Sequence, residues 1–151
     1  MKTSTFLVTS ADEETATLRD VNDQQVVALS ENPGLAADEV IEATVEAEPP
    51  LEVTYQVVEI ERQRTIPVER SPESPTALSQ DIAADQATGE ITRRERAGEG
   101  KFHVLTVPDA EAAAADVIED VATLERAARL GVDRVEVRTD DGVVTVRYLP
   151  D

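Results

Sequence analysis

Four bases lie within nine residues: Arg93, Arg94, Arg96 and Lys101. The chain has only 14 Lys+Arg against 32 Asp+Glu, so this local density stands out. Guanidinium groups present fixed forks of N–H donors that match phosphate and carboxylate oxygens. A second, looser set comprises Arg62, Arg64 and Arg70. If both sets share one face, they form an anion-binding patch suited to RNA, a ribonucleoprotein or an acidic protein. The competing arrangement is internal pairing with Glu69, Glu90, Glu95 and Glu99. No aromatic residues interleave the cluster, so base stacking is not expected.

Other chemistry is sparse. The chain has no cysteine, which removes thiol catalysis, disulfides and Cys-based zinc sites. His103 is the only histidine, and its alternation with Phe102 and Val104 marks it as a partly buried strand residue. No Gly-x-Ser-x-Gly elbow accompanies it. Carboxylate pairs such as Asp12-Glu13-Glu14, Asp38-Glu39 and Asp140-Asp141 are what 32 acids produce on any surface, so no acid–base pair is singled out. Neither a phosphate-binding nor a dinucleotide-binding glycine pattern is present. Gly98-Glu99-Gly100 reads as a helix exit, with Glu99 placed to repel a phosphate. The expectation is a protein that is not an enzyme, with no cofactor and no metal.

The net charge of −18 is spread over both halves of the chain, and the bases are 12 Arg to 2 Lys. Val and Ala supply 20 residues each, while aromatics number four. A pervasively acidic, Lys-poor chain looks like a cytoplasmic protein of a salt-in halophilic archaeon. At about 1 M salt the Debye length is roughly 3 Å, so self-repulsion is screened while surface charge preserves solubility. No apolar run reaches the roughly 20 residues that span a bilayer. Polar Thr9 and Ser10 interrupt the N-terminal apolar stretch before it could serve as a signal peptide. A cytoplasmic location without membrane attachment is expected; oligomeric state is left open.

These residues must be positioned by elements legible in the pattern. Strands are expected over 5–9, 15–20, 24–29, 40–46 and 51–62. The last is the most informative. Leu51, Val53, Tyr55 and Val57 share one face, and then Val58 and Ile60 carry the apolar set. Strand side chains alternate with period two, so this phase flip implies a bulge or bend near Val57-Val58. Bent strands turn the corners of small barrels. The reading is a five-stranded barrel of OB or SH3 type over residues 1–70, with an open meander sheet as the alternative.

Residues 71–151 read as an α+β domain, to which a strand at 65–70 is also assignable. Ser74 and Pro75 would start a helix running from Thr76 to about Arg96. A strand follows over 101–107. Pro108-Asp109 then opens a helix closed by Leu130-Gly131, with Ala110, Ala114, Val117, Val121, Leu124 and Ala128 at spacings of four and three. A hairpin over 132–138 and 143–149 turns at Asp141-Gly142. The resulting β-α-β-α-β-β order resembles the C-terminal domain of the third bacterial initiation factor and the Alba chromatin proteins, by element order alone. A ferredoxin-like order is the alternative.

Five stretches carry a further resemblance over the whole chain. They are residues 5–9 (TFLVT), 30–35 (SENPGL), 92–100 (TRRERAGEG), 103–108 (HVLTVP) and 130–138 (LGVDRVEVR). Through them the chain resembles an uncharacterised family of haloarchaeal proteins. That resemblance implies a full-length single unit and brings no catalytic residue. Resting on the two fold analogies and the Arg cluster, the leading expectation is an RNA- or ribonucleoprotein-binding module; the alternative is a protein–protein adaptor or structural protein whose arginines pair internally.

Overall fold

A computed structural model describes residues 1–96 and 100–150. The chain divides into two compact units, Met1–Ile66 with Ala128–Leu130, and Pro67–Ala127 with Gly131–Asp151.

Alternating apolar residues in the first unit close five strands into a barrel: β1 (Lys2–Ala11), β2 (Ala16–Asp20), β3 (Val26–Leu29), β4 (Val40–Ala47) and β5 (Tyr55–Arg64). Their order around the barrel is β1-β2-β3-β5-β4. β1 pairs antiparallel with both β2 and β4, and a parallel bridge from Leu29 to Tyr55 joins β3 to β5. This Greek-key closure is the OB arrangement rather than the SH3 one. Phe6, Val8, Leu18, Val27, Ile41 and Val45 fill the interior. Each such side chain contributes about 1.5–3 kcal/mol by leaving water.

The expected bend in β5 is present, and doubled. Against β4, the pairing steps from Arg62 to Ile60 and from Glu59 to Val57, leaving Glu61 and Val58 as the extra residues of two bulges. Val57 and Ile60 therefore both pack on the core, while Val58 is exposed. Three details of the sequence reading are corrected here. Val58 does not join the inner face. Leu51 and Val53 do not belong to the strand and are exposed. The strand begins at Tyr55, because Pro49-Pro50 and the left-handed Glu52 (φ 56°) hold residues 49–54 in a turn.

The second unit is a five-stranded sheet of β6 (Val68–Arg70), β7 (Ile91–Glu95), β8 (Lys101–Thr106), β9 (Arg134–Asp140) and β10 (Val143–Leu149) in the order β6-β9-β10-β8-β7. Only β6 and β9 are parallel. α1 (Ala77–Ala84) covers one face through Ala83 and Ile82, packed on Phe102, Val104 and Val143. α2 (Ala110–Glu119) covers the other face, where Val135, Val137, Val144, Val146 and Tyr148 are buried, and α3 (Val121–Leu130) reaches the same side through Arg126, which donates to the Tyr148 hydroxyl. The α+β class with an N-terminal five-stranded barrel is as expected.

Two elements of this unit differ from expectation. The helix foreseen from Thr76 to Arg96 stops at Ala84, and its N-cap is Thr76 rather than Ser74. Gly89 (φ 92°) turns the chain, and residues 91–95 become β7. Tertiary pairing overrides helix propensity: Gln86 Nε2 donates to Val104 O at 3.1 Å and to Thr106 Oγ1 at 3.0 Å, anchoring the turn on β8. The unit therefore runs β-α-β-β-α-α-β-β, not β-α-β-α-β-β. The expected exit through Gly98-Glu99-Gly100 falls partly on residues 97–99, which lie outside the described residues.

The helix foreseen over 110–130 is two helices. Asp120 leaves the helical region (ψ 123°), its Oδ1 accepts from Ala122 N at 2.9 Å, and Thr123 Oγ1 donates to Val117 O at 2.8 Å. A side chain that caps the next helix competes with continuation of the previous one.

Candidate anion-binding edge

β7 is the outermost strand of its sheet, and its pairing with β8 places Arg93 opposite His103, Arg94 opposite Phe102 and Glu95 opposite Lys101. On a strand, neighbours point to opposite faces. Arg93 and Lys101 thus lie on the α2/α3 side, and Arg94 on the α1 side. Arg96 continues the Arg94 side, lining a cavity with Phe102 and Arg147. The helical geometry that would pair Arg93 with Arg96 is replaced by this split. The cluster wraps an edge rather than tiling one face.

Arg93, Arg94 and Lys101 are exposed. Among the described residues none of the three is in an ion pair or side-chain hydrogen bond. Internal pairing of these three with Glu90 or Glu95 is therefore not formed; Glu90 Oε1 instead accepts from Ala87 N at 2.9 Å. In a chain of net charge −18, three cations on one hairpin, in no ion pair among the described residues, are a local concentration of positive charge.

Of the second set, Arg70 does not join this edge. Arg70 sits on β6, at the far side of the sheet, four strand spacings or roughly 19 Å away. It is paired with Glu111 Oε1 at 2.7 Å and donates to Thr139 Oγ1 at 2.6 Å. Arg62 and Arg64 belong to β5 of the barrel.

His103 is buried, as a strand histidine was expected to be, with its ring 5.1 Å from that of Tyr148. Burial, and then the positive charges of Arg126, Arg93 and Lys101, push its pKa down to about 4. The imidazole is neutral at pH 7 and reports the field of that face. Arg126, which the sequence did not single out, donates to the Tyr148 hydroxyl at 3.3 Å. Its only sequence signal was its place on the amphipathic α3.

On the opposite face a second cationic group surrounds one carboxylate. Glu136 accepts from Arg147 at 2.9 Å, from Arg134 at 3.4 Å and from Arg138 at very short range. Burial raises the Glu136 pKa, but the Arg138 and Arg147 contacts outweigh it and hold the carboxyl below the usual range. Arg138 also reaches Glu73 at 2.6 Å. These arginines are structural struts of the sheet.

Among the described residues no group of three or more His, Asp or Glu is placed to hold a metal ion, and no helix is long and apolar enough to cross a membrane. No curated protein and no solved structure matches the chain. A family model does match, over residues 2–139, so both the barrel and most of the second unit are covered. The chain belongs to the DUF5812 family of unknown function.

Proposed function

We propose that this is a non-enzymatic binding module that grips the phosphate backbone of RNA, alone or in a ribonucleoprotein, with the β7–β8 edge. The observation that carries this reading is the exposure of Arg93, Arg94 and Lys101 with no carboxylate partner among the described residues. Cations split over both sides of a protruding strand suit the two walls of phosphates on a folded RNA better than a flat surface. Without an aromatic platform at the edge, recognition rests on charge and shape, not on stacked bases. The charge balance and the scarcity of Lys support a halophilic, cytoplasmic setting.

Fluorescence anisotropy with a labelled structured oligoribonucleotide, across a salt series, tests the reading. The logarithm of affinity should fall linearly with the logarithm of salt concentration. The triple variant Arg93→Ser, Arg94→Ser, Lys101→Ser should flatten that slope without lowering the Tm, since none of the three is in an ion pair or side-chain hydrogen bond among the described residues. Absence of binding by the wild type at low salt, or an unchanged slope in the variant, would overturn it. The adaptor reading draws on a different observation, the internal pairing of Arg70, Arg138 and Arg147, and would then lead.

A further inference from the structure

We infer that the cavity beneath the N-terminal turn of α1 binds a small organic carboxylate with a compact apolar body. Thr76, Leu78, Ser79, Arg96, Phe102, Thr145 and Arg147 line a space of about 220 Å³. That is below the roughly 300–1,000 Å³ of pockets for drug-sized ligands, so the occupant is small. Its walls divide by chemistry. Phe102 and Leu78 form the apolar side, and Leu78 stands at 56% exposure on the rim. Arg147 and Arg96 form the cationic side.

Arg147 keeps donor capacity. Among the described residues its guanidinium makes one bond, from Nη1 to Glu136 Oε1 at 2.9 Å. A carboxylate offers about four lone-pair sites, and each guanidinium about five N–H donors. Arg147 therefore holds Glu136 with Nη1 and still presents N–H groups to a ligand. The first turn of α1 adds the positive end of its peptide dipoles.

The independent observation is Thr145. It is 1% exposed and its Oγ1 is buried without a hydrogen-bond partner among the described residues. Leaving a buried hydroxyl unsatisfied costs stability. Val at this position would fill the same volume at no such cost. Thr145 pairs with Val104 and sits one strand step from Arg147, on the cavity side of the sheet. A ligand carboxylate bonded to Arg147 can accept from this hydroxyl, while the ligand body rests on Phe102. The planar fork of Arg147 and the apolar wall favour a carboxylate over a phosphate, whose three oxygens would be left against carbon. This site is separate from the exposed Arg93 and Lys101, which lie on the other face of the sheet.

The full chain is titrated with sodium benzoate at constant ionic strength and followed by amide NMR, with benzamide as the neutral control. Saturable shifts centred on Leu78, Phe102, Thr145 and Arg147 are expected with benzoate and absent with benzamide. Thr145→Val should weaken benzoate binding about tenfold, the worth of a hydrogen bond to a charged group. Leu78→Glu, an exposed change that leaves the core intact, should also weaken it by repulsion. Shifts that do not saturate, equal shifts with benzamide, or wild-type affinity in both variants would overturn the inference.

Discussion

The Cα of Gly100 faces the backbone carbonyl of Tyr148 so closely that a Cβ there would lie 2.4 Å from the carbonyl oxygen. The same residue has φ 96°, a conformation that L side chains rarely adopt. Sterics and backbone strain therefore both demand glycine where the chain enters β8. Arg96 depends on this point: its backbone N–H donates to Gly100 O at 3.0 Å. Gly100→Ala should destabilise the fold by about 2 kcal/mol or more, read from the urea midpoint. Wild-type stability in this variant would show that the β7–β8 connection relaxes without cost and does not fix Arg96.

Thr145→Val should act in the other direction. The hydroxyl it removes is buried and unbonded, and the methyl that replaces it occupies the same space beside Val104. Stability should rise by about 1 kcal/mol, visible as a higher Tm. A fall would mean that the hydroxyl is bonded in solution, by water or by a neighbour.

The barrel was legible in the sequence because strands with one buried face alternate with period two, and the phase flip at Val57-Val58 announced the bend in β5 that favoured a barrel over an open meander. β7 was not legible, since Arg93, Arg94 and Glu95 are good helix formers and only their pairing with β8 makes them a strand. The break at Asp120 was hidden by a helical period that continues through it, from Val117 to Val121 and Leu124. For the candidate site, the clustering of bases could be read directly, but their distribution over two faces could not, because it follows from strand rather than helix geometry. The cavity was beyond reach: Phe102, Thr145 and Arg147 meet only through the register of β8 with β10, and Leu78 and Ser79 only through the placement of α1.

His103 makes stability depend on pH. Its folded pKa of about 4 lies below the ordinary 6.5. The unfolded chain then binds a proton between these values that the folded chain does not, so this residue's contribution falls as pH drops from about 6.5 toward 4. The loss approaches ~3 kcal/mol at the acid end. The background of titrating carboxylates is removed by comparison with His103→Gln. The stability difference between the two proteins should shrink or reverse on acidification, and a difference constant from pH 7 to pH 4 would contradict the depressed pKa. The proposed RNA contact adds a second readout. A polyanion on Arg93 and Lys101 should raise the His103 pKa, which NMR can follow without ambiguity because the chain has one histidine.

Salt provides the broadest test of the charge balance. The 32 acids outnumber the 14 bases by more than two to one, and Arg93, Arg94 and Lys101 are in no ion pair among the described residues. Mutual repulsion of carboxylates therefore opposes compaction, and it should be relieved as the Debye length shrinks from roughly 10 Å at 0.1 M to roughly 3 Å at 1 M salt. The few specific pairs respond oppositely but weakly. Lys2, held between Asp20 at 2.8 Å and Asp23 at 2.7 Å, joins the start of β1 to the end of β2, and the nearly full burial of Asp20 limits its screening. The net expectation is a Tm that climbs steadily with potassium chloride, in both units. Sodium sulfate would add its own exclusion from the surface, so potassium chloride is the cleaner probe. A Tm that is flat between 0.1 and about 1 M potassium chloride would show that repulsion among the carboxylates does not limit folding, and would remove the physical support for a halophilic setting.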